Sequence, residues 1–266
     1  MVQMATILGF YGGCPMTKQT ERSKTPIGRL RIGTSGYEYR DWKGRFYPED
    51  MPQKAWFDYY AEQFDTVEIN NTFYNLPTAE TFDSWREAAP KGFEYALKFS
   101  RYGSHIKRLK DPEKSVPAFV EVAERLEKYI GPVLLQLPPR WRVRPERLDT
   151  FLEQVPSKWR WVVELRDPSW LNEDVYGVLR KHAAALCLHD MLEDHPRIIT
   201  ADWTYLRFHG DNYAGNYSSQ LLVAKARWII EQLQDGRDVY AYFNNTKQAC
   251  GAQDALKLKR YIDDRL

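Results

Sequence analysis

The sequence predicts a (β/α)8 barrel, and three observations lead to this fold class. From Arg29 onward the chain contains eight short, apolar, β-branched segments of strand length. Segments with helical spacing of apolar residues separate most of them, and no repeat or linker divides the chain. Strands that alternate with helices pair in parallel through right-handed crossovers, and eight such units close into a barrel. A doubly wound open sheet is the alternative fold.

The eight predicted strands follow one another in the order "RIGTSG", "TVEIN", "FEYALKFS", "GPVLLQLP", "WVVELR", "ALCLHD", "TYLRFHG" and "DVYAYFNN". Amphipathic helices are predicted between them, for example over residues 57–64, 116–126 and 222–233. The unit between the sixth and seventh strands is different, because residues 191–203 contain His195-Pro196 and little helical pattern. We therefore expect a weak or missing helix there.

Composition narrows the class of protein. The chain has 266 residues, of which 43% are hydrophobic, and its 38 basic and 36 acidic side chains leave a formal net charge of +2. Such a balance creates no global field for nucleic acid or membranes. No apolar run approaches the roughly 18 residues of a membrane span, and the three cysteines lack metal-site spacing. We expect a cytoplasmic protein without a membrane partner, with residues 1–28 as a leader or extension and residues 29–266 as one barrel domain.

Polar residues interrupt the predicted strands on one face. In "TVEINNTFY", Val67 and Ile69 share one side of the strand while Glu68 and Asn70 share the other. One strand face of a barrel meets the helices and the other fills the interior, and barrel enzymes build their sites at the carboxyl ends of the strands. The inward residues predicted near those ends are Glu68, Asn70, Lys98, Gln136, Glu164, Arg166, His189, Arg207, His209 and Asn244.

This inward set is interpreted as a site for an anion. The candidate catalytic residues are His209, Glu164 and Glu68, and the candidate ligand-binding residues are Asn70, Lys98, Gln136, Arg166, His189, Arg207 and Asn244. Two carboxylates face three permanent cations, so a carboxylate or phosphate ligand would balance the excess. A self-satisfied lattice of ion pairs is the alternative for any single residue. It is less plausible for the whole set, because apolar replacements of buried ion pairs are often neutral or stabilising by about 1–4 kcal/mol.

The loops above the strand ends add a basic, aromatic rim. Its candidate members are Tyr37, Trp42, Tyr74, Arg101, Arg140, Trp141 and Arg142. Basic residues beside stacking platforms suit nucleotides, sugar phosphates or single-stranded nucleic acid, and a solvated basic loop is the alternative.

Motifs for common cofactors are absent from the sequence. "GFYGG" and "GTSG" match neither GxGxxG nor a P-loop, and no GxSxG elbow is present. A metal ion is conceivable from His189, Asp190, His209, Glu68 and Glu164, but it is not favoured because no histidines are paired as HxH or HExxH. The cofactor is left unknown.

Several quoted motifs together resemble the YecE-like family of TIM-barrel proteins of unknown function. They are "IGTSGYEYRDWKGRFYP", "FDTVEINNTFYNLP", "VLLQLPP", "ELRDPSW", "YLRFHG" and "VYAYFNNT", in matching order from about Arg31 to Ile262. The resemblance implies the barrel and no established reaction. That barrel is similar to those of the xylose isomerase and endonuclease IV groups, which suggests sugar-phosphate or abasic-DNA chemistry by analogy. A trinuclear zinc centre fits poorly, because Arg207 and Lys98 stand where metal ligands would be needed.

Two functions remain open from the sequence. The first is an enzyme for a phosphorylated or otherwise anionic substrate, with His209 or Glu164 as proton carrier, Glu68 as orienting or second carboxylate, and the three cations as an anion clamp. Its amides Asn70, Gln136 and Asn244 would recognise hydroxyl groups. The second is a non-catalytic nucleic-acid-binding protein that uses the basic, aromatic rim. A further alternative is an endonuclease IV-like nucleic-acid-processing enzyme.

Overall fold

The computed structural model describes residues 26–192, 194–210 and 215–266. Most of the predicted leader, residues 1–25, therefore lies outside the described residues. The chain enters the fold near Gly28, whose amide donates to the carbonyl of Leu233 at 2.9 Å.

Eight parallel strands form a nearly closed barrel. They are β1 (Leu30–Thr34), β2 (Thr66–Ile69), β3 (Glu94–Lys98), β4 (Ile130–Gln136), β5 (Trp161–Glu164), β6 (Ala185–His189), β7 (Trp203–Phe208) and β8 (Asp238–Phe243). Their order in the sheet is β1-β8-β7-β6-β5-β4-β3-β2, so every strand lies beside its chain neighbours. The predicted barrel is confirmed, and the open-sheet alternative is wrong.

β1 and β2 stand at the two ends of the strand order and meet at a seam without a ladder of their own. Beyond the ends of the ladders it is held by a parallel bridge between Ser35 and Glu68, and by the Gly36 amide, which donates to the Glu68 carbonyl at 2.8 Å. A side chain on Gly33 would place its Cβ 2.3 Å from the carbonyl oxygen of Thr66. The lack of a side chain at Gly33 therefore allows β1 and β2 to approach each other closely.

Helices cover the outside of the barrel. They are α1 (Trp56–Gln63), α2 (Asn71–Tyr74), α3 (Ala79–Ala88), α4 (Pro112–Ala123), α5 (Pro145–Glu153), α6 (Glu173–Lys181), α7 (Ser219–Gln234) and α8 (Cys250–Asp263). Between β6 and β7 the described residues, 190–192 and 194–202, contain no helix, so the expected weak unit is confirmed. Within the described part of the chain, no helix combines the length and apolarity needed to cross a membrane.

The alternation of the strands produces two separate apolar cores. One fills the space between barrel and helices and includes the outward residues Val67, Ile69 and Leu97. The other fills the barrel itself; its members are Ala96, Leu134, Val162, Ala185, Cys187, Trp203, Tyr205, Tyr240 and Tyr242. This interior core lies below the polar residues at the carboxyl ends of the strands, so the floor of the mouth consists of packed, mostly apolar side chains.

Candidate active site at the barrel mouth

A buried ion-pair bridge crosses the barrel at its carboxyl end. Arg207, on β7, donates from Nε and Nη2 to the two oxygens of Glu68 on β2, at 2.9 and 2.7 Å. Its Nη1 donates to Glu164 on β5 at 2.5 Å. The three side chains are at most 1% exposed. Each nitrogen of the guanidinium is already directed at a carboxylate, so Arg207 is placed as a structural cation rather than as part of an open anion clamp.

Glu68 is the most fully bonded group of the layer. Besides Arg207, its oxygens accept from the Tyr205 hydroxyl and the Ser35 hydroxyl, both at 2.7 Å. Burial opposes ionisation of Glu68, but the charge and hydrogen bonds of Arg207 outweigh it and hold the pKa of the carboxyl below its usual value. A carboxylate with four donors has no free lone pair facing a substrate. Its hydrogen bonds hold the guanidinium of Arg207 in place, and the orienting role of Glu68 toward a substrate stays a prediction.

Glu164 is also held as an anion. It accepts from Arg207, from Gln136 Nε2 at 2.8 Å and from Arg166 Nε. Burial would raise its pKa, yet Arg207 and Arg166 lower it well below the usual range. A carboxylate with so low a pKa is a poor proton carrier near neutral pH, which argues against that predicted role. Its position instead fixes Arg166 at the mouth.

Lys98 differs from the other charged residues of the layer. It lies at the end of β3 with 7% of its surface exposed, and Nζ sits 4.2 Å from the centre of the Phe73 ring. Within the described residues, no carboxylate oxygen lies within 4.0 Å of Nζ and no hydrogen bond reaches it. Burial lowers the pKa of Lys98 to about 8, and Arg207 adds to the effect against the opposing charges of Glu68 and Glu164. Arg207 and Arg166 are paired with Glu68 and Glu164, and Lys225 on α7 lies 3.8 Å from Asp190. These three carboxylates are thus matched by three cations, and the Lys98 ammonium is the charge in excess.

His209 is oriented by a carboxylate from the neighbouring loop. Asp190 Oδ1, just after β6, accepts from the His209 backbone amide at 2.9 Å and lies 3.1 Å from the ring Nδ1. Its Oδ2 accepts from the Tyr217 hydroxyl, which in turn accepts from the Gly210 amide at 2.8 Å. Burial opposes ionisation, but hydrogen bonds from His209 and Tyr217 lower the pKa of Asp190 to about 2.

This contact places a proton on His209 Nδ1 and leaves Nε2 as the acceptor, 3.5 Å from Arg166 Nη2. The arrangement suits a histidine that is oriented by a carboxylate and exchanges a proton through Nε2. The sequence indicates Asp190 only as a conceivable metal ligand at the end of "ALCLHD", and Tyr217 lies on a loop where no alternation reveals a direction.

His189, Asn70 and Asn244 are the remaining predicted ligand-binding residues, and all three are buried or half-buried. His189 Nε2 lies 2.8 Å from the Leu165 carbonyl and Nδ1 accepts from the Met191 amide at 3.2 Å, so both ring nitrogens are used by the backbone. Burial lowers its pKa to about 4, so the ring is neutral near pH 7. Asn70 is half-buried, and its Oδ1 is enclosed by the protein without a hydrogen-bond partner among the described residues. Asn244 is half-buried just after β8, and its backbone N–H donates to the Phe208 carbonyl at 2.6 Å.

Only some of the residues predicted to form the rim are exposed to solvent. Trp42 is fully buried, with Nε1 donating to the Thr246 carbonyl at 2.6 Å, and Trp141 is 6% exposed with its ring centre 4.9 Å from that of Trp170. The prediction that these two tryptophans offer stacking faces is therefore wrong. Tyr37 is half-buried with its ring 5.3 Å from that of Phe57. The remaining predicted members, Tyr74, Arg101, Arg140 and Arg142, are exposed.

A group of possible metal ligands lies away from the mouth. Asp149, Glu153 and His182, on α5 and just after α6, bring their ligand atoms within 4.8 Å of one another. The ammonium of Lys181 already lies 2.7 Å from Asp149 and 3.1 Å from Glu153, so an internal cation occupies this position. At the mouth, Glu68 and Glu164 are bonded to Arg207, which leaves few oxygens for a metal there.

The fold and the mouth together define a (β/α)8 barrel with a buried, net cationic polar layer at the carboxyl ends of its strands. The family description "Protein of unknown function DUF72" matches residues 31–265. The chain belongs to this family, and the expected YecE-like membership is confirmed.

Relatives and solved structures agree with this membership. The chain is 34% identical to the UPF0759 protein YecE of Escherichia coli K12 over 112 residues, a match that spans 42% of this chain and 41% of that relative. It is 22% identical to the UPF0759 protein YunF of Bacillus subtilis 168 over 88% of this chain and 95% of the relative. A DUF72 family protein of Thermotoga maritima MSB8 has a similar structure, with a TM-score of 0.81 and 28% identity over 88% of this chain and 99% of that one. A DUF72 family protein of Enterococcus faecalis V583 gives a TM-score of 0.72 at 18% identity over 88% and 95% of the two chains, which shows the shared fold.

Proposed function

We propose that the mouth of the barrel binds a small anionic substrate and moves a proton on it, so that the protein is an enzyme. The observation that carries this proposal is the position of Lys98, a buried ammonium with no carboxylate partner among the described residues, in a layer with excess positive charge. A buried charge without a counter-ion is costly, and a bound carboxylate or phosphate would relieve that cost.

The narrowness of the mouth favours a small ligand. Lys98 and His209 are each 7% exposed and Gln136 is 9% exposed, so only a few ligand atoms can reach these side chains at once. A carboxylate or phosphate on a short carbon chain has few enough atoms to meet this condition. A nucleic acid would meet only the rim, where Trp42 and Trp141 offer no stacking faces.

Each polar group then has a defined part. Lys98 and Arg166 hold the anion, because both are cations at the mouth and Arg166 keeps Nη2 directed toward His209. His209, held by Asp190 through Nδ1, accepts the proton of the substrate at Nε2. The bridge of Glu68, Arg207 and Glu164 fixes this arrangement without touching the ligand.

Binding is tested by isothermal titration with inorganic phosphate and, separately, with pyruvate. We expect saturable binding of at least one anion, weakened about tenfold or more in Lys98→Met and in Arg166→Met, because each removes a charge-assisted contact. Lys158→Met is the matched control, since this lysine is 68% exposed and bonds Glu124 outside the mouth. Absence of binding in the native protein, or equal binding in Lys98→Met, would contradict the proposal.

The proton carrier is tested with His209→Asn, which retains a polar group but cannot titrate. Once a substrate is found, turnover should fall by about 10²–10⁴ in a protein whose unfolding curve is nearly unchanged. Equal turnover in the two proteins would remove His209 from the mechanism. Oligonucleotide binding that survives Lys98→Met but weakens in the double variant Arg140→Ala, Arg142→Ala would favour the nucleic-acid alternative instead.

A further inference from the structure

Among the described residues of the barrel interior, Cys187 carries a thiol and Lys98 an amine. Cys187 is fully buried in the interior core, and burial raises the pKa of its thiol well above the usual value, so it is inert. Lys98 lies one layer higher, at the mouth, and retains 7% of its surface exposed. The amine at the carboxyl end of β3 is thus the nucleophile that a substrate at the mouth can reach.

We propose that Lys98 forms a covalent imine with a small aldehyde or ketone that also carries a carboxylate or phosphate. Three features of its surroundings support this chemistry. The amine is buried, it has no carboxylate partner among the described residues, and it lies near the cations Arg207 and Arg166. Desolvation and neighbouring cations are the two means by which proteins make a lysine amine nucleophilic. A carboxylate at hydrogen-bond distance would have kept the ammonium charged, and none of the described carboxylates is so placed.

The reaction balances without a further reactant. The neutral amine attacks the carbonyl carbon, a C–N bond forms, and the oxygen takes a proton to give a carbinolamine. Loss of that oxygen as water gives a protonated imine. In sum, one ammonium and one carbonyl compound give one iminium and one water, so the positive charge stays on the nitrogen and the anionic group keeps its counter-ion. His209, oriented by Asp190 at the same end of the barrel, is the group proposed to carry the proton between nitrogen and oxygen.

This inference rests on the proposed anion site and names the class of its substrate. A lysine with a pKa of about 8 has roughly 200 times more neutral amine at about pH 7.5 than one with the usual value of 10.5. Surface lysines such as Lys158 therefore serve as internal references for reactivity within the same protein.

The test is reductive trapping with glyoxylate and cyanoborohydride, followed by peptide mass mapping. We expect one dominant adduct per chain, on Lys98, formed at least about tenfold faster than on the peptide that contains Lys158. Its rate should rise with pH to a midpoint near 8, and inorganic phosphate should slow it by competing for the anion site. Lys98→Arg is the matched variant, because it keeps a cation for anion binding but cannot form an imine.

The outcomes separate this inference from the proposed function. An adduct on Lys98, lost in Lys98→Arg while phosphate still binds that variant, supports the inference. Phosphate binding by the native protein with Lys98 unlabelled, or adducts spread over surface lysines without enrichment at Lys98, overturns the inference and leaves the anion site in place. Failure of both phosphate and glyoxylate to bind overturns both proposals. Peptide mapping of the native protein decides the matter even if a variant fails to fold.

Discussion

At the scale of one residue, the buried charge of Lys98 that would bind a ligand also lowers the stability of the folded protein. Burial lowers its pKa from 10.5 to about 8. Between these values the unfolded chain binds a proton that the folded chain has lost, so the free energy of unfolding contributed by this group rises with pH across the window. Below about pH 8 the folded protein bears the full cost of the buried charge.

Lys98→Met should therefore stabilise the protein near neutral pH, by up to about 3 kcal/mol, because it removes that buried charge. The gain should shrink as the pH rises from about 8 toward 10.5. Urea unfolding of both proteins at a series of pH values measures the difference, with Lys158→Met as the exposed control. A gain that is independent of pH would contradict the assignment of a depressed pKa to Lys98.

Arg207→Met should have the opposite effect on stability, although Arg207 lies in the same layer. Its removal leaves Glu68 and Glu164 buried without their shared cation, so we expect a loss of about 3–5 kcal/mol. The comparison with Lys98→Met in one set of urea curves distinguishes a structural cation from a ligand-binding one. Equal effects of the two variants would mean that the layer is a single lattice with no site in it.

The sequence could predict which side chains share the barrel interior, but not how they pair. Alternation alone places Glu68, Lys98, Glu164 and Arg207 on inward faces, and the structure has them there. Which cation takes both carboxylates depends on the distance across the barrel and on the length of each side chain. That information is three-dimensional, and for this reason an anion clamp of three cations was expected where one of the three, Arg207, is fully used.

At the scale of elements, the loops after β6 and β7 are joined by Tyr217. Its hydroxyl donates to Asp190 and accepts from the Gly210 amide at 2.8 Å. No sequence period indicates such a contact, because loop residues do not alternate between faces. The missing helix between β6 and β7 could be predicted, because residues 191–203 show little helical spacing of apolar residues.

Tyr217→Phe should lower the free energy of unfolding by about 1–3 kcal/mol, because it leaves the buried Gly210 amide and one oxygen of Asp190 without their partner. Tyr74→Phe is the control, since Tyr74 is 69% exposed and its hydroxyl can bond water. We expect less than about 0.5 kcal/mol for that variant. Thermal and urea unfolding of the two proteins measure the difference, and similar values for both would show that the Tyr217 contacts add nothing to the loop.

At the scale of the whole molecule, the barrel was predictable because strand order, crossover hand and the two faces of each strand follow from general rules. The exposure of the rim was not. Aromatic residues at strand exits, such as Trp42 and Trp141, can turn either toward solvent or into the gap between loops. Here the Trp42 indole N–H donates a hydrogen bond to the Thr246 carbonyl, and the Trp141 ring packs against Trp170, so both rings are buried.

Barrel closure provides the last prediction, through two glycines in different surroundings. A Cβ at Gly33 would lie 2.3 Å from the Thr66 carbonyl oxygen across the β1–β2 seam, whereas a Cβ at Gly177, inside α6, would meet nothing within 4 Å. Gly33→Ala must push the seam apart, so we expect a loss of about 1–3 kcal/mol. Gly177→Ala should instead stabilise the protein by about 0.5–1 kcal/mol, because alanine favours the helix and restricts the unfolded chain. Urea unfolding measures both changes, and a Gly33→Ala protein as stable as the native one would mean that β1 and β2 tolerate a wider gap than this closed wall implies.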